Sequence, residues 1–195
     1  MRILQPLIVV LLLALLVAGE ARAQAELKPA IGITFSDVSK TPVNGQVTSR
    51  AGWEIGGSIL IGQNFYFEAG FFYATKSLAF TVTSTKNEFT NDINGFRIPV
   101  ALGLHLLGDE KGPFALRVFG GGSAFIITAV SAPGASKDDF NSPAWSIFAG
   151  AGLDIFMFFV DVQYEWSLTD VSKLSTVDIG QSRSFIANAG IRLPF

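Results

Sequence analysis

Between residues 160 and 167 the chain alternates without exception: Val160, Val162, Tyr164 and Trp166 hold one parity, and Asp161, Gln163, Glu165 and Ser167 the other. A period of two is the signature of a β-strand, whose successive side chains point to opposite faces. The same division returns elsewhere. Trp53, Ile55, Ile59 and Ile61 oppose Glu54, Gly56 and Ser58, while Phe96, Ile98, Val100, Leu102 and Leu104 oppose Arg97, Ala101, Gly103 and His105. Near the C-terminus Phe185, Ala187, Ala189, Ile191, Leu193 and Phe195 oppose Asn188, Gly190 and Arg192. A soluble barrel of the lipocalin kind is apolar inside and polar outside. Here charged and small residues share one face and Trp, Phe and Ile the other, the sense expected when the outside meets hydrocarbon and the inside is a polar lumen.

Eight extended segments of this type are legible, near residues 30–38, 51–61, 65–77, 93–106, 114–128, 144–155, 158–169 and 184–195. A tilted transmembrane strand needs about 9–11 residues, and these segments supply them. The connections alternate in length. Residues 40–50, 84–92, 131–141 and 170–183 are long and rich in Ser, Thr, Asn, Asp and Lys, whereas residues 62–64, 108–112 and the neighbourhood of Phe156 are short. In outer-membrane barrels short turns face the periplasm and long loops face outward. The expectation is therefore an all-β fold: an eight-stranded antiparallel transmembrane β-barrel of up-and-down topology. Ile155-Phe156-Met157 contains no turn former, so the turn there is required by topology alone. Gly120-Gly121-Gly122 predicts a bend or bulge. Trp53, Phe65, Phe67, Phe71, Tyr73, Trp145, Tyr164, Trp166 and Phe195 fall on the outward parity near strand ends, as aromatic girdles do.

The first residues belong to a different regime. Met1 and Arg2 precede an apolar run at residues 7–17, and Ala21-Arg22-Ala23 supplies a small-x-small pattern before Gln24. This reads as a signal peptide over residues 1–23, cleaved to leave a barrel domain over residues 24–195. Loss of Arg2, Arg22 and Glu20 reduces 14 basic and 16 acidic groups to 12 and 15, a formal charge of −3. No basic face remains to bind nucleic acid. The chain has no cysteine, so an exported form cannot rely on disulfides, and a sheet closed on itself is one alternative. Hydrophobic residues make up 49% of the sequence, yet beyond the leader no long uncharged helix gathers them. Alternating strands spread that excess around a lipid-facing exterior.

The inward parity carries the candidate site. Counted upward from the short turns, Glu68, Arg117, Asp161 and Arg192 fall about four residues into the lumen, and Glu54, Arg97 and Glu165 about eight to ten. Two charge layers of mixed sign are expected, with inward Gly56, Gly70, Gly103, Gly121, Gly150, Gly152 and Gly190 making room for them. A bore of eight strands is just wide enough for its own side chains, so the reading is a plugged polar interior.

Other chemistry finds little support. His105 is the only histidine, on the inward parity near a short turn, where neither lipid nor an outer-leaflet substrate reaches it. Gly120-Gly121-Gly122-Ser123 lacks the lysine and helix of a phosphate loop, and Gly150-Ala151-Gly152 lacks the third glycine of a dinucleotide fingerprint. Lys137-Asp138-Asp139 reads as a solvated loop rather than a Ca²⁺ site. No catalytic residue, cofactor or metal is expected. The readings that remain are a structural or surface-interaction module presenting four outer loops to an unknown ligand or protein, a narrow small-solute channel, and a lipid-modifying enzyme, in that order.

Arg97-Ile98-Pro99-Val100 after a polar loop, Gly121-Gly122, Gly150-x-Gly152 and the terminal Phe195 together carry a family likeness. From about residue 30 to 195 the chain resembles the PorT-like outer-membrane β-barrel domain, related in shape to the OmpX and OmpA barrels. The resemblance implies a location in the outer membrane of a Gram-negative cell and contact with its lipid. It also implies that Phe195 is part of the signal read by the barrel assembly machinery. No catalytic residues come with it.

Overall fold

Ten strand segments account for the described part of the chain: β1 (Ala25–Val38), β2 (Gly45–Ser49), β3 (Ala51–Gly62), β4 (Phe65–Val82), β5 (Asn87–Gly108), β6 (Phe114–Ser131), β7 (Ala144–Ile155), β8 (Phe158–Asp170), β9 (Gln181–Ile191) and β10 (Leu193–Pro194). The computed structural model describes residues 25–38, 45–49, 51–82, 87–108, 112–131, 141–170 and 181–195. The predicted signal peptide and Lys137-Asp138-Asp139 lie outside the described residues. Every neighbouring pair is antiparallel, and β1 pairs with β9 as well as β3, which closes the sheet. β2 and β3 share one position along β4, and β9 and β10 share one along β1, so the ten segments form eight staves of a barrel.

The alternation is realised around the circumference. Trp53, Ile55, Ile147, Val160, Trp166 and Phe185 are exposed on the outer face, while Glu54, Arg97, Arg117 and Glu165 are buried inside. A closed barrel leaves no sheet edge, so every strand can satisfy its backbone within hydrocarbon.

Several boundaries differ from those read in the sequence. β1 starts at Ala25 rather than residue 30, despite Pro29. Proline cannot donate to a ladder, and the consequence is visible opposite it: Glu26↔Pro194, Leu27↔Leu193 and Ala30↔Gly190 share one register, with the pairing broken between them where β9 gives way to β10. The β4–β5 hairpin is longer than the sequence suggests, because Leu78 to Val82, beyond the expected strand, pair with Asn87 to Asn91, which fall within the long polar loop expected over residues 84–92. Beyond the bilayer the ladder needs only backbone pairing, not alternation between lipid and lumen, so that polar stretch carries no strand signal. Gly120-Gly121-Gly122 runs straight through the β5–β6 ladder opposite Leu102, Ala101 and Val100; the irregularities fall instead at Asn94/Gly95 and His105/Leu107. Gly62 and Gly108 take positive φ at short turns, the conformation glycine tolerates best. At the third short turn Phe156 itself adopts φ 53°, and its N–H donates to the Pro113 carbonyl at 2.8 Å while the next residue's carbonyl accepts from Arg192 N–H at 2.7 Å. That turn is held by the neighbouring turn before β6 and by the last stave between β9 and β10, which is why no local turn former marks it.

Candidate functional site: the filled lumen

The lower charge layer lies at the short-turn end. Arg117 on β6, fully buried, places Nε 2.8 Å from Asp154 and Nη2 2.7 Å from Asp161, with Glu68 3.7 Å from Nη1. Its Nη1 also donates to the Tyr66 hydroxyl at 3.3 Å. Arg192 bridges Glu26 and Asp154, the latter at 3.2 Å. Lys28, also fully buried, reaches Glu68 at 3.0 Å and Asp161 at 3.1 Å. Each carboxylate of this layer is thus met by at least one cation, so the set behaves as an ion-pair network rather than as a vacant metal site. Arginine suits the central place because its planar fork serves several carboxylates at once. Gly152 lets it do so: a Cβ there would meet the Asp161 carboxylate and the Arg117 guanidinium.

The upper layer is smaller. Arg97 lies 3.0 Å from Glu165 through Nε and 3.4 Å from Glu54 through Nη1. Glu165 also accepts from Ser123 at 2.8 Å and lies 3.4 Å from Lys76; Glu54 also accepts from Asn188 Nδ2 at 2.9 Å. Glu54 Oε2 and Arg97 Nη2 have no hydrogen-bond partner among the described residues. All seven charged residues expected inside are therefore in the lumen, Glu68, Arg117, Asp161 and Arg192 in one network and Glu54, Arg97 and Glu165 in the other.

Sequence reasoning misses four further members. Glu26 and Lys28 escape it because the alternation becomes clear only after Pro29. Lys76 and Asp154 share the inward parity of their strands and are visible by that signal. A second omission concerns aromatics, which the sequence suggests only as girdle residues. Phe72, Phe148 and Phe159 are buried, and with Phe119 they line a small internal cavity between the charge layers. Phe119 and Phe148 meet edge to face at 6.4 Å, Lys28 Nζ lies 4.3 Å from the Phe159 ring centroid, and Arg97 lies 5.6 Å from that of Phe148. Their parity, shared with Gly70, Gly121, Gly150 and Asp161, is the signal that identifies them. The lumen is stacked as charge, aromatic, charge.

His105 is buried at the short-turn end. Its Nδ1 lies 2.9 Å from the Gln63 carbonyl, its backbone N–H donates to the Asn64 carbonyl at 2.9 Å, and its ring packs 5.4 Å from Tyr66. It pins the first short turn to the barrel. Phe195 is exposed, tied by its backbone N–H to the Ala25 carbonyl at 2.9 Å.

Comparison with known proteins adds the family context. Residues 18–173 match the family model described as outer membrane protein beta-barrel domain. No curated protein matches the chain. Among solved structures, the outer membrane protein OprG from Pseudomonas aeruginosa is similar with a TM-score of 0.56 at 10% identity, over 89% of this chain and 96% of that one. Neisserial surface protein A is similar at 0.48 and 12% identity, over 88% and 97% of the two chains. Ail, the attachment invasion locus protein of Yersinia pestis, is similar at 0.45 and 15%, over 89% and 100%. At such identities the likeness is one of fold.

Proposed function

Because the chain belongs to the outer membrane protein beta-barrel domain family, and so resides in the outer membrane, we propose that its barrel is a closed, rigid mount whose outer connections meet a ligand or partner protein outside the cell. The observation that carries this reading is the lumen itself. Arg97 and Arg117, 1% and 0% exposed, lie across it in two ion-pair networks with an aromatic layer between them. Moving a solute through would mean breaking buried pairs at two levels, each break costing on the order of 3–5 kcal/mol. On this reading the barrel has no catalytic activity, and His105 serves the turn it pins. Its partners are the surrounding lipid, the barrel assembly machinery through Phe195, and whatever the outer connections recognise. The PorT-like subdivision is the finer assignment, and Arg97-Ile98-Pro99-Val100 with the terminal Phe195 supports it.

The test is single-channel recording in planar bilayers on the refolded mature protein. We expect no conductance steps above the bare-bilayer baseline across the ordinary voltage range. Reproducible steps would replace the mount with a narrow small-solute channel.

A further inference from the structure

Above the upper charge layer the lumen wall changes character. On β5, β6 and β7 the inward positions become Ile93, Phe125, Ile127 and Ala144, an apolar arc inside a barrel whose lower interior is filled by charges. A bulge extends it. Gly95 pairs with Ile127 but Asn94 pairs with Ala129, so Thr128 is the extra residue, and its hydroxyl donates to the Asn94 carbonyl at 3.1 Å. The shift of one residue reverses the parity beyond it, as bulges do. Val130 is thereby brought inward to pack with Ile127 against Ile93 and Phe125.

The facing arc, from β7 through β8 and β9 to β1, is built of hydroxyls: Ser146, Ser167, Thr169, Ser182, Ser184 and Ser36. Ser36 and Ser184 share a hydrogen bond of 2.9 Å, and Ser167 donates to the Thr169 carbonyl at 2.8 Å. Each hydroxyl combines one donor with two acceptor lone pairs, so these bonds leave capacity for a further partner. The floor is Lys76 and Glu165, paired at 3.4 Å, with the Lys76 ammonium 4.9 Å from the Phe125 ring centroid. One positive and one negative group leave the floor without net charge. The cavity between the arcs is small, about 50 Å³, and open on one side, so it has room for a short chain of atoms rather than a bulky ligand.

We propose that this outer cup binds a small, uncharged amphipathic molecule, its apolar body against Ile93, Phe125 and Ile127 and its hydroxyl-bearing end against the serines. The internally neutral floor disfavours a charged ligand, which would have to displace one member of the Lys76–Glu165 pair. The two arcs disfavour a ligand that is polar throughout, because the apolar wall would then remain wet. The inference goes beyond the mount reading and does not depend on it. A conducting lumen would overturn the mount and leave the cup in place, since the two are read by different experiments.

The test uses the mature protein in lipid nanodiscs with isotope-labelled isoleucine methyls, titrated with 1,2-hexanediol. Saturable shifts are expected at the Ile93 and Ile127 methyls, while Ile55 and Ile147 on the lipid face show only the linear drift of partitioning into the bilayer. Glycerol should produce no saturable shift, and hexanoate should bind at least several-fold more weakly than the diol. Ala144→Phe should abolish saturation by filling the cup, and Ser184→Ala should weaken it several-fold. Retained folding is judged by heat-dependent electrophoretic mobility, with Ile127→Phe as the filling variant should Ala144→Phe not fold. Linear shifts indistinguishable from those of Ile55 and Ile147 would overturn the proposal. So would saturation that survives filling of the cup in a folded barrel, and hexanoate binding more tightly than the diol would overturn the assignment of an uncharged ligand.

Discussion

Replacing Arg97 with methionine removes the one cation that, among the described residues, pairs with Glu54, whose carboxylate is then held by Asn188 Nδ2 at 2.9 Å. Glu165 fares better, because Lys76 at 3.4 Å and Ser123 at 2.8 Å remain. Breaking a buried pair by deleting one partner costs about 3–5 kcal/mol, and a carboxylate stripped of every cation belongs at the upper end. Arg117→Met makes a contrast, although Arg117 touches more carboxylates. After its loss Asp154 keeps Arg192 at 3.2 Å, Asp161 keeps Lys28 at 3.1 Å and Glu68 keeps Lys28 at 3.0 Å. Its cost should lie near the lower end, about 3 kcal/mol. What ranks the two variants is whether a carboxylate is left without a cation, and not how many carboxylates the arginine touches. Urea unfolding in lipid vesicles, followed by the fluorescence of the lipid-facing Trp53, Trp145 and Trp166, measures both. A double variant, Arg97→Met with Glu54→Gln, removes the stranded charge and should recover about half of the single variant's loss. The reasoning fails if Arg97→Met proves no worse than Arg117→Met, or if the double variant is as unstable as Arg97→Met alone.

Val162 faces lipid between Ala151 and Ala187, so Val162→Lys should cost about 2–4 kcal/mol in the same unfolding assay, and Gln163→Lys inside the lumen should cost less. Equal penalties would show the two faces to be wrongly assigned. Gly152→Ala should destabilise by about 1–3 kcal/mol, because the new methyl collides with the Arg117–Asp161 pair; Gly122→Ala, whose methyl would meet only the Ser146 carbonyl at 3.5 Å, should be close to neutral. Deleting Phe195 should lower the amount of barrel inserted in cells while leaving refolding in detergent micelles largely intact, and loss of both would place its role in the fold.

Strand direction, wall parity and the sign of the environment outside were legible in the chain because they are local properties. Two neighbouring residues such as Val162 and Gln163 cannot exchange faces without flipping the whole strand, so alternation reports lipid and lumen wherever it persists. Inward charge follows from the same rule, and so do the inward phenylalanines once parity is applied to them. What the sequence could not specify is which inward residue meets which. Lys28 and Asp161 are 133 residues apart and Glu26 and Arg192 are 166 apart; they touch because closure of the barrel sets the stagger of the strands that bear them. The turn at Phe156 and the continuation of β1 through Pro29 are of the same kind, since local preference argues against each and non-local pairing overrides it: Phe156 N–H donates to the Pro113 carbonyl, and the register with β3 runs on through Pro29↔Gly57. The packing of Val130 behind the cup's apolar wall depends on a single extra residue at Thr128, which reverses parity beyond it. A bulge is a relation between two strands, so it acquires meaning only when the partner strand is in place.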